Sequence, residues 1–138
     1  MSRRRGTFSL LFATALLAIG TAGCSPGAAA KPDLPASVSP GWKLTKLETS
    51  QPPARLPQSG TPPACWLANY AGERTANVWV CAYPASTGAF DAAQRMPSTA
   101  TEVKFQKGSY LVVVQWTTAS RADITALVGA IQRSLPVG

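Results

Sequence analysis

The chain of 138 residues contains no histidine and only six acidic side chains. Histidine is the usual general base near neutral pH and the commonest metal ligand, so its absence excludes Ser–His and Cys–His catalysis and most transition-metal sites. The six carboxylates are scattered, and the sequence brings no two of them together for acid–base chemistry. Glycine-rich phosphate loops and calcium loops are also missing. We therefore expect a protein that is not an enzyme and that holds no metal or cofactor.

Runs of basic residues are missing too, apart from Arg3-Arg4-Arg5. The formal net charge of the whole chain is +7, but residues 1–23 contribute three arginines and no acid, so the remainder carries 10 − 6 = +4. That charge is ordinary for a small domain, and the scattered lysines and arginines form no stripe of the kind that binds nucleic acid. We expect no nucleic-acid partner.

Only one long apolar run is present, and it lies close to the N-terminus. Phe8–Ile19 is interrupted only by Ser9 and Thr14, and it is shorter than the roughly 20 residues of a membrane span. A basic segment, then an apolar segment, then small residues is the order found in secretory signal peptides. We expect residues 1–23 to be a signal peptide. The arginines leave the twin-arginine export route open as an alternative to the general one.

The segment Thr21-Ala22-Gly23-Cys24 resembles the lipobox of bacterial lipoproteins, in which Leu usually stands where this chain has Thr21. The resemblance implies cleavage before Cys24, a diacylglyceryl group on its thiol and, in many bacteria, acylation of its amino group with a fatty acid such as palmitate. Two or more acyl chains hold a protein stably on a membrane. The alternatives are an ordinary cleaved signal that leaves Cys24 as a free thiol, and an uncleaved N-terminal anchor.

The residue after the cysteine bears on which membrane receives the protein. In Gram-negative lipoproteins Asp at this position favours retention in the inner membrane, and Ser25 resembles the class sorted to the outer membrane. We therefore expect an exported protein anchored to the cell envelope through lipid on Cys24, on the periplasmic side of the outer membrane if the cell is Gram-negative.

Two proline-rich stretches divide the rest of the chain. Residues 24–40 carry four prolines among Ala, Ser and Gly, a composition typical of a tether that does not pack into a core. Residues 41–138 then form a single domain. Within it, residues 51–63 carry five more prolines and predict a long surface loop, either an interaction site or a mobile connector.

The two remaining cysteines are predicted to pair with each other. Cys65–Tyr70 and Asn77–Tyr83 have strand-like composition, and the polar residues between them favour an antiparallel hairpin centred near Glu73. That register puts Cys65 directly opposite Cys81, close enough for a disulfide, and export supplies an oxidising compartment. The alternative, a redox-active or partner-linked cysteine, lacks a CxxC motif.

The remaining sequence predicts a first strand near Trp42 and, after the cysteine hairpin, a helix, a second hairpin and a last helix. A helix capped by Ser86 or Thr87 runs to about Met96. A hairpin joins Thr101–Gln106 to Ser109–Trp116 through a Lys107-Gly108 turn, and its second strand is apolar on both sides, as in a central strand. Its expected register places Val103 and Phe105 opposite Val112 and Tyr110. A last helix begins at Ser120 with a capping box to Asp123, and its core face comprises Ile124, Leu127, Val128, Ile131 and Leu135.

The order β–ββ–α–ββ–α predicts an α+β fold, in which an antiparallel sheet of about five strands carries both helices on one face. Two segments, Ala92–Pro97 and Lys107–Val114, resemble parts of small secreted bacterial domains, a resemblance that implies no activity.

Four tryptophans are the remaining candidates for a functional surface: Trp42, Trp66, Trp79 and Trp116. Tryptophan usually packs in a core, but rings on an open sheet face would form an aromatic platform for a ligand or partner. We expect a non-enzymatic domain that binds an envelope protein or supports an assembly. The alternative is a domain that binds a small molecule or wall polymer through these tryptophans. A third hypothesis, an enzyme, requires two carboxylates in one pocket.

Overall fold

The computed structural model describes residues 29–58 and 60–137. The expected signal peptide and Cys24 lie outside these residues, so the lipobox stays a prediction. Across the described ranges, no helix combines the length and the hydrophobicity needed to span a membrane. The elements are β1 (Ser37–Val38), β2 (Trp42–Ser50), β3 (Ala64–Ala71), β4 (Thr75–Ala82), α1 (Ser86–Arg95), β5 (Glu102–Lys107), β6 (Tyr110–Trp116) and α2 (Arg121–Ser134).

The strands form one sheet in the order β1-β2-β3-β4-β6-β5, and each pairing in it is antiparallel. The α+β class and the antiparallel sheet are thus confirmed, with six strands where about five were expected. The additional strand is β1, a two-residue strand at the sheet edge. So short a strand shows no alternation of apolar and polar residues, which explains why the sequence did not predict it.

The packed part of the chain begins before Gly41, where the domain was expected to start. Pro32 is buried, and Leu34 belongs to the main hydrophobic core. The Tyr70 hydroxyl donates a hydrogen bond to the carbonyl oxygen of Pro35 at 2.8 Å. The expected tether over residues 24–40 is therefore too long. Proline tolerates a sheet edge, so a proline-rich composition does not prevent this segment from packing there.

The two helices cover opposite faces of the sheet, whereas the sequence predicted one shared face. Along β6, Val112 and Val114 pack in the core that contains α2, while Leu111 and Val113 pack in the core that contains α1. Because successive strand residues point to opposite faces, the two cores lie on different sides. A central strand that is apolar on both faces needs a layer on each side, and α1 supplies the second. We call the two sides the α1 face and the α2 face.

The predicted caps are correct for α2 and wrong for α1. Ser120 and Asp123 form the expected capping box at the start of α2, whose buried residues include Ile124, Leu127 and Ile131. In contrast, the N-cap of α1 is Ala85, which makes no side-chain capping bond. The helix therefore starts one residue earlier than a Ser86 cap would allow and two residues earlier than a Thr87 cap would allow.

The β5–β6 hairpin forms with a register two residues away from the expected one. Val103 faces Val114, and Phe105 faces Val112. The turn is Gly108-Ser109 rather than Lys107-Gly108, and Gly108 has φ +56°. Glycine at the first turn position is the requirement of a type II′ turn. A two-residue shift keeps each side chain on its expected face, so the hydrophobic pattern alone does not separate the two registers.

The second proline-rich stretch packs across the α1 face, and we call its described residues, 51–58 and 60–63, the strap. Leu56 is buried beside the disulfide and α1. Arg55 forms an ion pair with Glu102 on β5, at the sheet edge opposite to β1. The strap thus leaves β2, reaches across to β5 and returns to β3. This packing is not that of a mobile connector.

Candidate functional site

The predicted disulfide between Cys65 and Cys81 is confirmed. The two residues are directly opposite on β3 and β4, with a Cα–Cα distance of 4.1 Å. Both cysteines are buried on the α1 face, in the same core as Leu56 of the strap. A bridge so enclosed joins two neighbouring strands and offers no surface for thiol exchange, so its role here is structural.

The four tryptophans do not share one surface. Trp42 and Trp66 are buried, and the Trp42 indole Nε1 donates to the carbonyl oxygen of Asp123 at 3.1 Å. Trp116 is half-buried and packs with the core of the α2 face. Trp79 is half-buried on the α1 face, between Leu67 and Val113. The rings of Trp79 and Trp116 are therefore the accessible ones, and they belong to opposite faces.

One end of the sheet is formed by two turns and the start of a helix. The β1–β2 turn, the β3–β4 turn and the beginning of α2 meet there, and we call it the turn end. Gly72 in the β3–β4 turn lies so close to Gly41 that a Cβ atom at position 72 would overlap the Gly41 carbonyl oxygen. Glycine at this position is therefore needed for the two turns to touch.

A small pocket of about 160 Å³ opens between these turns and α2. Its walls are formed by Pro40, Gly41, Trp42, Glu73, Arg74 and Asp123. It therefore contains two carboxylates, which is the arrangement that the enzyme hypothesis requires. Asp123, however, accepts hydrogen bonds from the backbone and side chain of Ser120 and forms an ion pair with Arg74. These contacts make it a capping group, and a proton-transfer role would have to break them.

A row of polar side chains crosses the α1 face near the turn end. Lys46 on β2 is followed across successive strands by Asn69, Asn77, Gln115 and Glu102, each directly opposite the next. The Asn69 amide Nδ2 donates to Asn77 Oδ1 at 2.7 Å. We call these five residues the polar row. Lys46 and Asn77 are exposed, and Asn69, Gln115 and Glu102 are partly buried.

The middle of the polar row opens into a cavity of about 440 Å³, which we call the amide cleft. Its lining residues are Thr75, Asn77, Thr101, Gln115, Trp116 and Thr117. All of them are uncharged, and all except Trp116 carry a hydroxyl or a primary amide. The lining offers hydrogen-bond donors and acceptors without formal charge, together with one aromatic ring.

Glu102 closes the polar row on β5 and is the most enclosed carboxylate near the cleft. Its side chain is 4% exposed, and Oε2 is paired with Arg55. Its other oxygen, Oε1, is buried and has no hydrogen-bond partner among the described residues. Two neighbours of Glu102, Thr101 in sequence and Gln115 across the strand pair, line the cleft.

Sequence reasoning missed Asn77 and Gln115, although part of the signal was present. The register that correctly pairs Cys65 with Cys81 also pairs Asn69 with Asn77. The extension of the row to Gln115 and Glu102 depends on the β4–β6 pairing, which joins strands that are not consecutive in the chain.

Comparisons with protein-family models, with curated proteins and with solved structures find no match to this chain. In the part of the chain that the structure describes, no three His, Cys, Asp or Glu side chains lie close enough together to hold a metal ion.

Proposed function

We propose that this chain is an exported envelope protein, anchored through lipid on Cys24, whose folded domain is a non-enzymatic binding module. The sequence support is the basic, apolar and small-residue order that ends at Cys24. The structural support is the disulfide between Cys65 and Cys81, because disulfides persist in oxidising compartments outside the cytoplasm.

The proposed binding role rests on where the two pockets lie relative to the point at which the N-terminal segment joins the domain. Ala29 lies beside Ala64, Ala82 and Pro84, at the end of the sheet opposite to the turn end. The small pocket lined by Arg74 and Asp123 and the amide cleft both lie at the turn end. An anchor before residue 29 would therefore leave both pockets at the end of the domain farther from the lipid.

The length of chain before the first buried residue supports the same orientation. Seven residues, 25–31, separate Cys24 from the buried Pro32, and the eight Cα–Cα steps from Cys24 to Pro32 span at most about 26–29 Å when fully extended. A tether of this length keeps the point of entry close to the bilayer surface. The turn end would then face the neighbouring envelope component.

The anchor is tested by membrane fractionation of cells that express the chain or its Cys24→Ala variant. The wild-type chain is expected in the membrane fraction, and the variant is expected to leave it or to accumulate uncleaved. A Cys24→Ala chain that is processed and held on the membrane like the wild type would contradict the anchor.

The binding role is tested by photo-crosslinking in intact cells, with the reactive amino acid introduced at Thr117 of the turn end. The matched control is Gln132 on α2, which is also exposed but lies near the opposite end of the domain. Discrete crosslinked products at Thr117 and weaker ones at Gln132 are expected. Equal crosslinking at both positions, or none at Thr117, would argue against a partner site at the turn end.

A further inference from the structure

The chemistry of the amide cleft narrows the class of ligand that it fits. Hydroxyl groups and primary amides both donate and accept hydrogen bonds, whereas a site for an ion is built around opposite charge. The cleft has five such neutral polar residues and no charged residue in its lining. An uncharged ligand with many hydroxyl groups matches this set of donors and acceptors.

One indole ring adjoins the neutral polar groups. Trp116 forms part of the cleft wall. Ligand pockets combine aromatic walls with a few placed polar groups, and a pyranose ring presents both an apolar face and a rim of hydroxyls.

The size of the cleft also agrees with a single sugar unit. Its volume of about 440 Å³ falls within the range of about 300–1,000 Å³ that is usual for small-molecule sites. The cleft is open to the solvent at the exposed Thr75, Thr101 and Thr117. A unit within a longer chain can therefore enter without its neighbours being buried.

We propose that the amide cleft binds a neutral pyranose unit of an envelope polysaccharide. Asn77 and Gln115 hydrogen-bond the sugar hydroxyls, and Trp116 in the cleft wall contacts the apolar surface of the ring. This deepens the proposed binding role, and it rests on that role for the presence of such a polymer in the same compartment.

The test is titration calorimetry of the purified full-length chain, held in a detergent without a sugar headgroup. The probes are chitotetraose and mannotetraose as neutral oligosaccharides, and tetragalacturonate as an acidic one of similar size. Saturable binding of a neutral probe, with none of tetragalacturonate, is the expected result. Binding of the acidic probe alone, or no binding of either neutral probe at millimolar concentration, would overturn the proposal.

Variants locate the bound sugar. Asn77→Ala and Gln115→Ala each remove one hydrogen-bonding group and are expected to weaken binding about fivefold to tenfold. Gln94→Ala is the control, since Gln94 is exposed on α1 outside the cleft, and it should leave the affinity unchanged. If Gln115→Ala fails to fold, Asn77→Ala alone gives the test, because Asn77 is exposed and its truncation leaves the core unchanged. Unchanged affinity in every folded cleft variant would place the sugar elsewhere and contradict the proposal.

The two experiments distinguish a failure of the sugar-binding proposal from a failure of the lipid anchor. Calorimetry of the purified chain does not depend on where the protein resides in the cell, whereas fractionation of the Cys24→Ala variant does not depend on the cleft. Each can therefore fail without the other.

Discussion

Tyr70 links the N-terminal segment to the sheet through its hydroxyl. The ring is buried, and the hydroxyl donates to the carbonyl oxygen of Pro35. Burial raises the pKa of Tyr70 to about 12, because the ionised form would lose its hydration. The segment from Pro32 to Val38 therefore depends on a protonated tyrosine.

This residue makes stability depend on pH in the alkaline range. The unfolded chain releases the Tyr70 proton near pH 10, whereas the folded chain keeps it until about pH 12. The contribution of Tyr70 to the free energy of unfolding is thus complete below about pH 10. It is lost as the pH rises towards about 12, at roughly 1.4 kcal/mol per pH unit. When the wild type and Tyr70→Phe are unfolded in urea across this range, the free energy of unfolding should fall less steeply with pH for the variant.

At neutral pH the Tyr70→Phe change should cost about 1 kcal/mol, through the loss of the hydrogen bond to Pro35. The pKa of Tyr83 is also raised by burial, but Tyr83 is present in both proteins and cancels in the difference. Parallel stability curves above pH 10 would show that Tyr70 is not the titrating group.

Gly72 and Gly129 are glycines with opposite expected responses to alanine. A Cβ atom at Gly72 would overlap the carbonyl oxygen of Gly41, which is backbone and cannot rotate away. We expect Gly72→Ala to lower the free energy of unfolding by about 1–3 kcal/mol, as in overpacked sites. Gly129→Ala, in the middle of α2, should raise it by about 0.5–1 kcal/mol, since only the flexible Arg133 side chain lies close.

Thermal unfolding of the two alanine variants and the wild type measures this contrast. A Gly72→Ala protein as stable as the wild type would mean that the β1–β2 and β3–β4 turns do not touch.

Among individual residues, the cysteine pair was predictable and Tyr70 was not. Cys65 and Cys81 are symmetric about a turn that the local sequence specifies, so their pairing follows from one hairpin. The partner of Tyr70 lies 35 residues away in a segment that has no periodic pattern. A contact of that kind depends on the order of the strands and leaves no local signal.

The disulfide is the covalent support of the β3–β4 hairpin. The bridge closes a separation of 16 residues, for which the chain-entropy account gives about 3 kcal/mol. The double variant Cys65→Ala/Cys81→Ala should therefore lose about that amount in urea unfolding, and a reductant should not destabilise it further. A loss of the same size on adding reductant to the double variant would contradict this assignment.

The strap is held at two points, one apolar and one charged. Leu56 is 3% exposed within the core of the α1 face, and Arg55 pairs with the buried Glu102. We expect Leu56→Ala to cost about 2–5 kcal/mol, as in other buried leucine truncations. Val137→Ala is the control, because that side chain is 86% exposed and its loss should change stability little.

Hydrogen exchange separates a packed strap from a mobile one. Leu56→Ala should increase exchange at the Leu56 amide, which donates to the Pro53 carbonyl oxygen. A variant with wild-type stability and unchanged exchange would show that the strap is not anchored by Leu56.

At the level of elements, the sequence predicted hairpins and helices well and their layering poorly. The α2 capping box and the cysteine register depend on residues close in sequence. The assignment of α1 and α2 to opposite faces depends on which face of β6 each helix covers, and β6 is apolar on both. The polar row likewise appears only when β4 and β6 become neighbours.

For the whole molecule, the entry of the chain and the amide cleft lie at opposite ends of the sheet. The chain enters beside Ala64 and Ala82, the disulfide lies next to that entry on the α1 face with Leu56 of the strap packed against it, and the amide cleft opens at the turn end. A lipid on Cys24 would hold the entry end of the domain at the membrane, and the cleft would then be directed away from the bilayer.

The most direct measurement is intact mass analysis, under non-reducing conditions, of the chain extracted from membranes, followed by mapping of its N-terminal peptide. The predicted result is a chain that starts at Cys24, carries two or three acyl groups there, and lacks the two hydrogen atoms lost when Cys65 and Cys81 pair. A chain that retains residues 1–23, or one whose Cys24 is a free thiol, would contradict the lipid-anchored account.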